Sequence, residues 1–510
     1  MKTRIRIAKA APWDQGEVAI NGPSLFGASV NKPFSYTIPV IGERPLRFGA
    51  EGLPEGLLLD SATGRITGTL QDKGDSKVLL SAENRHGKAE KEFIIAIGRG
   101  LALTPPMGWN SWNAWRRWVS ADNVRAAGEE LVKTGLAARA CTYVNIDSCW
   151  QGIRGGVYGA IQPNRKFPDM EALAADIHSL GLKFGIYSTP WTVPWGCTLK
   201  KTQEDWNGSG LIGCSSGPPD PEYTVRLLDG GQYVGINKHE PEDMSQWVEW
   251  GVDFLKYDWN PTDTKSLARM GRLAKEAPRD IVVSICTACR LEDADSIKTW
   301  ANMWRGLPDT HDDWSSVVKN AFLEEDLKME DWRPHIGPSS WNDLDMLALG
   351  PQFENAAKCR PNMLSEDEQI TTMTAWALYP SPLILSCDLS ALTDFEVRLF
   401  ANEEVIAVSQ DPLGKPAVRF CERREQSLQA TQPQRNARIW VRPLAGESVA
   451  IGFFNLAESA DKLSIDLSDL GFSGSIAAQN LWERRDMGRV QDQLSVEVPA
   501  HGAQLVLVRQ

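Results

Sequence analysis

The chain has 510 residues, enough by size alone for roughly two to four domains. Its hydrophobic fraction of 42% and charged fraction of 24% are those of an ordinary globular protein. A net charge of −12 with a pI near 5.2 argues against a nucleic-acid partner, which would want a basic face. No apolar run approaches the ~18 residues of a membrane-spanning helix.

The opening MKTRIRIAKAAPWDQ is basic but has no apolar h-region, so it is not an intact signal peptide. The expected setting is periplasmic or secreted with a signal removed, the cytoplasm staying open. The first predicted unit spans 15–98. PFSYTIPV, LRFGAEGLP, SATGRITGTL, KVLLSAENRHG and KEFIIAIG are short alternating or β-branched runs between Gly, Pro, Asn and Asp turns, the spacing of an all-β sandwich. A packing spacer is the preferred role for this unit.

Over 103–415 short apolar runs alternate with helical patterns, as in AADIHSLGLKFGIYS and EDMSQWVEWGVDFLKYD. That alternation predicts parallel strands joined by helices. The candidate strands end in Trp109 and Asn110, Asp147, Tyr187, Lys256 with Asp258, Cys286, Arg305, Asp343 with Asp345, and Asp388. Roughly eight strands in about 310 residues fit a (β/α)8 barrel with loop insertions better than an open doubly wound sheet. No GxGxxG follows a strand and no phosphate-loop motif occurs, so nucleotide chemistry has no support. From 417 to 510 the runs ARIWVRPL, SVAIGFFNL, DKLSIDL, LSVEVPA and AQLVLVRQ predict a C-terminal antiparallel β-sandwich.

Twenty tryptophans is a high count; indole suits both a core and the C–H face of a sugar. The nine cysteines are odd in number and scattered, which is not a disulfide framework. Cys286 and Cys289 form half a zinc motif with no second half, so no metal site is expected. Cys197 and Cys214 flank a polar insertion and either close a loop or stay free.

Several aspartates and tryptophans at a barrel mouth, with no Ser-His pair, point to glycoside hydrolysis. An oxocarbenium-like transition state needs one carboxylate to attack and a second to protonate the leaving oxygen. Asp258, at the end of GVDFLKYDWN, is the first candidate. Period-2 geometry puts Lys256 beside it, where a cation favours the ionised carboxylate and offers donors to sugar hydroxyls. For the second carboxylate, Asp309, Asp312 and Asp313 compete within MWRGLPDTHDDWSSVVKNAF. The helix pattern begins just after Asp313, so Asp312 and Asp313 suit a cap or first turn and Asp309 is preferred.

LTPPMGWNSWNAW, YVNIDSCW, KFGIYS, FLKYDWN, MWRGLPDTHDDW, SSWNDLDMLALG and VIAVSQDPLGKP together resemble glycoside hydrolase family 27, the α-galactosidase and α-N-acetylgalactosaminidase (melibiase) family. The resemblance covers 103–415 with the motifs in family order. LPEGLLLDSATGRITGTL resembles the Ig-like domains appended to bacterial carbohydrate-active proteins. The family implies a retaining double displacement with Asp258 as nucleophile and Asp309 as acid/base. It implies an apolar wall at Trp109, a hydrogen-bond acceptor for the sugar's O4/O6 side at Asp147, and Tyr187 near the nucleophile. Lys256 would bind O3/O4 and Arg305 O2/O3, with Asp343 and Asp345 as structural support at the site floor.

Two departures bear on the substrate. Ser148 stands where the family pattern carries a second carboxylate toward O4/O6, and an unmatched sugar hydroxyl costs ~1–3 kcal/mol. Thr287 stands where galactosidases carry glutamate, which would admit a substituent at the 2-position, with Arg290 three residues on. Cys149 and Cys286 lack the partner cysteines of eukaryotic members. The long segment 190–246, with Trp191, Trp195 and Trp206, is expected to form the aglycone wall; the alternative is a surface excursion whose tryptophans pack on one another.

The expectation is therefore an exo-glycosidase acting on a terminal α-D-galactopyranosyl-type residue of an oligosaccharide or glycoconjugate, needing no cofactor. Rival readings keep the mechanism and change the sugar to α-N-acetylgalactosamine, β-L-arabinopyranose or a substituted galactose, or make the chain a non-catalytic carbohydrate binder. The sequence leaves the oligomeric state open.

Overall fold

The computed structural model describes residues 6–8, 13–198, 215–223, 232–286, 289–324, 330–356, 358–420 and 437–510. Its centre is a sheet of eight parallel strands: β1 (Met107–Asn110), β2 (Tyr143–Asn145), β3 (Lys183–Ser188), β4 (Phe254–Asp258), β5 (Val282–Cys286), β6 (Met303–Trp304), β7 (Trp341–Asn342) and β8 (Leu383–Leu385). They lie in the order β7-β6-β5-β4-β3-β2-β1-β8. A parallel bridge from Leu347, just past β7, to Leu385 in β8 joins the two edges. Closure leaves no open edge and sends the C-terminal ends of all eight strands to one mouth.

The local chemistry around β4 shows how the sequence builds that mouth. A helix over Glu240–Trp250 carries Glu240, Glu242 and Asp243 in its first turn, where its dipole favours negative charge. It ends at Gly251 with φ +83°, a left-handed turn that glycine adopts without strain. Asp253 then anchors the foot of the strand, accepting from Arg279 at 2.6 Å and pairing with the His178 ring at 2.8 Å. Phe254 and Leu255 are buried, each contributing ~1.5–3 kcal/mol of apolar transfer. With its foot pinned and its middle packed, the strand delivers Lys256 and Asp258 to the mouth.

The N-terminal unit pairs a four-stranded sheet (Leu25–Ala28, Gly87–Ile97, Gly74–Asn84, Arg47–Glu51) with a three-stranded one (Pro33–Thr37, Arg65–Thr69, Leu57–Asp60). It docks at the foot of the barrel: Thr37 Oγ1 donates to the Gly181 carbonyl at 3.0 Å and Arg65 to that of Ser179 at 2.9 Å, both just before β3. This places it at the barrel end opposite the mouth.

The C-terminal unit is a six-stranded antiparallel sheet with a two-stranded partner, Asp461–Asp466 and Gln493–Val498. Its inner face merges with the barrel core. Phe322 lies 5.3 Å from the Trp440 ring and 5.0 Å from that of Phe454, and Trp482 Nε1 donates to Thr374 Oγ1 at 2.9 Å. The sheet includes a hairpin, Ile476–Asn480 with Arg485–Val490, that the hydrophobic pattern does not reveal. RDMGRV is largely exposed, so it carries no apolar alternation to read. Among the described residues no helix is long and apolar enough to cross a membrane.

Candidate active site

A cavity of about 520 Å³ opens at the C-terminal mouth of the barrel, with Asp147, Lys256, Asp258, Arg305, Asp309 and Asp345 in its wall. Asp258 is the last residue of β4, in register with Cys286 of β5, and only 7% exposed. Burial pushes its carboxyl up to about 6, with the charges of Asp147 and Asp309 adding to the rise. Lys256 and Arg305 oppose it. Asp258 is thus mostly ionised at pH 7 without being held far from protonation.

Lys256 ion-pairs with Asp147: Nζ lies 2.7 Å from Oδ2, with side chains 12% and 4% exposed. Asp147 also accepts from Asn110 Nδ2 at 2.9 Å and from the Ser148 amide at 2.8 Å. A buried carboxylate is tolerated only when satisfied in this way. Lys256 therefore acts on Asp258 through its charge while its ammonium is anchored on Asp147. Its affinity for the proton is raised: burial works against the charge, but Asp147 and the neighbouring Cys286 and Asp258 together outweigh it.

Arg305, one residue beyond β6, is 3% exposed and uses its guanidinium as a fork. One arm donates to Asp309 Oδ1 at 2.7 Å; the other pairs with Asp345. Asp345 also accepts from the Thr310 and Met346 amides, each at 2.7 Å. These bonds hold it at φ +89° and tie the loop of Asp309 to the end of β7. Beneath it, burial and the Asp345 charge push Asp343 up to about 7. The Asp309 side chain is 62% exposed. Partial desolvation favours its protonated form, but Arg305 outweighs this and holds the carboxyl below its ordinary value.

The competing aspartates have structural partners. Asp313 caps the helix that starts at Trp314, accepting from the Ser316 amide at 2.9 Å. Asp312 is clasped by Arg360, whose Nη2 lies 2.9 Å from Oδ1.

Three sequence-derived candidates stand behind the wall. Trp109 is fully buried, with Nε1 donating to the Cys387 carbonyl at 2.7 Å. Tyr187 is also fully buried, its hydroxyl 3.5 Å from the Trp195 amide. Ser148 is 1% exposed and accepts the Gly196 amide at 3.1 Å. Thr287, Trp206 and Cys214 lie outside the described residues. Of the tryptophans in 190–246, Trp195 lines the cavity and packs edge-on against buried Trp191, ring centroids 5.2 Å apart. Cys149 and Cys286 are free thiols.

The wall also includes Trp112, Asn113, Arg116, Asn260, His311 and Met346, which sequence reasoning did not single out. All except Arg116 lie inside motifs already quoted, Trp112 and Asn113 in GWNSWNAW and His311 in PDTHDDW. Nearness in sequence to the ends of strands was the available signal.

A closed (β/α)8 barrel with carboxylates and cations gathered at its C-terminal mouth, between two β-units, defines a glycoside hydrolase. The family model "Alpha galactosidase A" matches residues 104–193 and 227–411, that for the alpha-galactosidase C-terminal β-sandwich 434–508, and an Ig-domain model 17–98. The chain belongs to the melibiase family, glycoside hydrolase family 27. It is 30% identical to an alpha-galactosidase of Oryza sativa over 422 residues, covering 81% of this chain and 86% of that one. A solved Bacteroides fragilis structure, a candidate alpha-galactosidase, aligns over 98% of this chain and 99% of its own at 28% identity with a TM-score of 0.80. A β-L-arabinopyranosidase from Geobacillus stearothermophilus aligns over 80% of this chain and 98% of its own at 26% identity and a TM-score of 0.66.

Proposed function

We propose that the protein is a retaining exo-glycosidase that releases terminal α-D-galactopyranosyl-type residues from oligosaccharides or glycoconjugates, with Asp258 as nucleophile and Asp309 as acid/base. The observation that carries this reading is that both carboxylates line one cavity together with Lys256 and Arg305. A carbohydrate-binding protein has no need of two carboxylates and their paired cations at one point. A periplasmic or secreted setting, where such substrates are met, agrees with it.

In the first step Asp258 attacks the anomeric carbon, and the bond to the leaving oxygen breaks as Asp309 gives that oxygen its proton. In the second, Asp309 takes a proton from water, whose oxygen attacks the same carbon and frees Asp258. The free site is biased the other way, with Asp258 raised and Asp309 lowered. A sugar hydroxyl that competes for the Arg305 arm now on Asp309 would lift that carboxyl toward the protonated form the first step needs. Lys256 and Arg305 supply donors to the ring hydroxyls, and Trp195 supplies an apolar face.

A second reading keeps the mechanism and changes the sugar to β-L-arabinopyranose, α-N-acetylgalactosamine or a substituted galactose. It is favoured by Ser148, which replaces a carboxylate and whose hydroxyl is engaged by Gly196. The test is hydrolysis of nitrophenyl α-D-galactoside, α-N-acetylgalactosaminide and β-L-arabinopyranoside beside Asp258→Ala, with the product anomer followed by NMR. Turnover of the galactoside with retention, abolished in the variant, is the expected result. Turnover of another glycoside alone selects the second reading. Inversion, or full activity in Asp258→Ala, overturns the mechanism.

A further inference from the structure

The residue at 148 departs from the family pattern, and its surroundings suggest a different kind of role from sugar contact. Ser148 is 1% exposed and stands behind the cavity wall. Its hydroxyl oxygen accepts the Gly196 amide at 3.1 Å. Gly196 directly follows Trp195, whose side chain is in the wall and whose own amide faces the Tyr187 hydroxyl at 3.5 Å. Trp195 is thus tethered through two successive amides, one to the end of β3 and one to the turn after β2.

The fit at that tether is close. A Cβ on Gly196 would lie 2.2 Å from Cys149 Sγ and 2.7 Å from Ser148 Oγ, so the turn rests directly on Ser148 and Cys149. Behind Trp195, Trp191 is 2% exposed and packs edge-on at 5.2 Å, and the Thr192 amide donates to the Tyr233 carbonyl at 2.9 Å. On its other side Ser148 donates its amide to Asp147, which holds Lys256. One short turn therefore orders the cation on one side and the indole on the other.

We propose that Ser148 is a positioning residue that holds Trp195 as a wall of the sugar cavity, acting on the substrate through the indole rather than by its own hydroxyl. This rests on the glycosidase reading above. The chemistry follows from the exchange of groups: where a carboxylate would present acceptors to a hydroxylated sugar edge, this chain presents an aromatic face that suits sugar C–H groups.

A double-mutant cycle tests it, with kcat and KM measured for the wild type, Ser148→Ala, Trp195→Ala and the double variant on the nitrophenyl glycoside the wild type cleaves. Each single change is expected to raise KM about three- to tenfold with kcat within about twofold, the effect of one lost hydrogen bond or ring contact. The double variant should be no worse than Trp195→Ala. A hydroxyl that touched the sugar directly would give a double variant whose KM rises by the product of the single effects, and that result overturns the proposal. Gly196→Ala leaves Ser148 in place and lifts the turn from the other side. An unchanged KM in this variant also overturns the proposal, which keeps the test decisive if Ser148→Ala does not fold. Failure of the underlying reading shows separately, as activity that survives Asp258→Ala.

Discussion

Replacing Asp258 by asparagine should stabilise the fold at neutral pH while abolishing hydrolysis. Burial raises this carboxyl from its ordinary 3.8 to about 6, so the folded protein binds a proton there more tightly than the unfolded chain does. Such a group favours the folded state fully below pH ~4, and that contribution is lost as pH rises through about 6. The gap between the two values corresponds to ~3 kcal/mol at 1.36 kcal/mol per tenfold, and with Asp258 only 7% exposed little of it is screened. For a cooperative unit of roughly 400 residues, barrel and C-terminal sheet together, at ~2.1 cal/mol/K per residue, this is ~3–4 °C in Tm. Asparagine does not titrate, so the Tm advantage of Asp258→Asn over the wild type should be small near pH 4 and grow to that size by pH 7. Calorimetry of both proteins across this range, with a matched assay of hydrolysis, reads it directly. A Tm difference independent of pH, or a less stable variant at pH 7, refutes the claim that Asp258 is held ionised against a desolvation cost.

Arg305→Lys exchanges a fork for a point charge that cannot hold Asp309 and Asp345 at once; kcat/KM should fall about 30- to 100-fold, the worth of a hydrogen bond to a charged group, and a loss below threefold would contradict the bridging role. Lys256→Met strands Asp147, whose side chain is 4% exposed, so unfolding in urea should show a loss of ~3–5 kcal/mol. Adding Asp147→Asn should restore part of it, and no restoration would mean the pair is not the source. Arg442, fully buried, donates to the Ala377 and Lys415 carbonyls between barrel and C-terminal sheet. Arg442→Met should cost ~1–3 kcal/mol and split the calorimetric transition of the two units; an unchanged single transition would argue that apolar contacts alone join them.

How much was legible in the sequence varies with the range of the interaction concerned. The strand runs and helix caps of the barrel are local: KFGIYS and FLKYD are strands because every residue is buried or nearly so, and Asp313 caps a helix because its side chain reaches an amide three residues on. Period-2 geometry likewise placed Lys256 and Asp258 on one side of β4 from the chain alone. The hairpin at 476–490 escaped for the complementary reason: its second strand is exposed and carries no apolar alternation, and its first, Ile476–Asn480, takes its place by pairing with Ala503–Arg509.

Sequence by itself therefore determined the three-part architecture and the barrel, and singled out Asp258 and Asp309, which the fold brings to one cavity, since each is written in residue spacing or strand ends. Only the tertiary structure decided which partner each charge takes. Lys256 rests on Asp147, 109 positions away; Arg305 is shared between Asp309 and Asp345; and Ser148 meets Gly196 across 48 residues. Protonation follows from the same cause: whether a carboxyl rises, as in Asp258, or falls, as in Asp309, is set by burial and by charges that only barrel closure brings together.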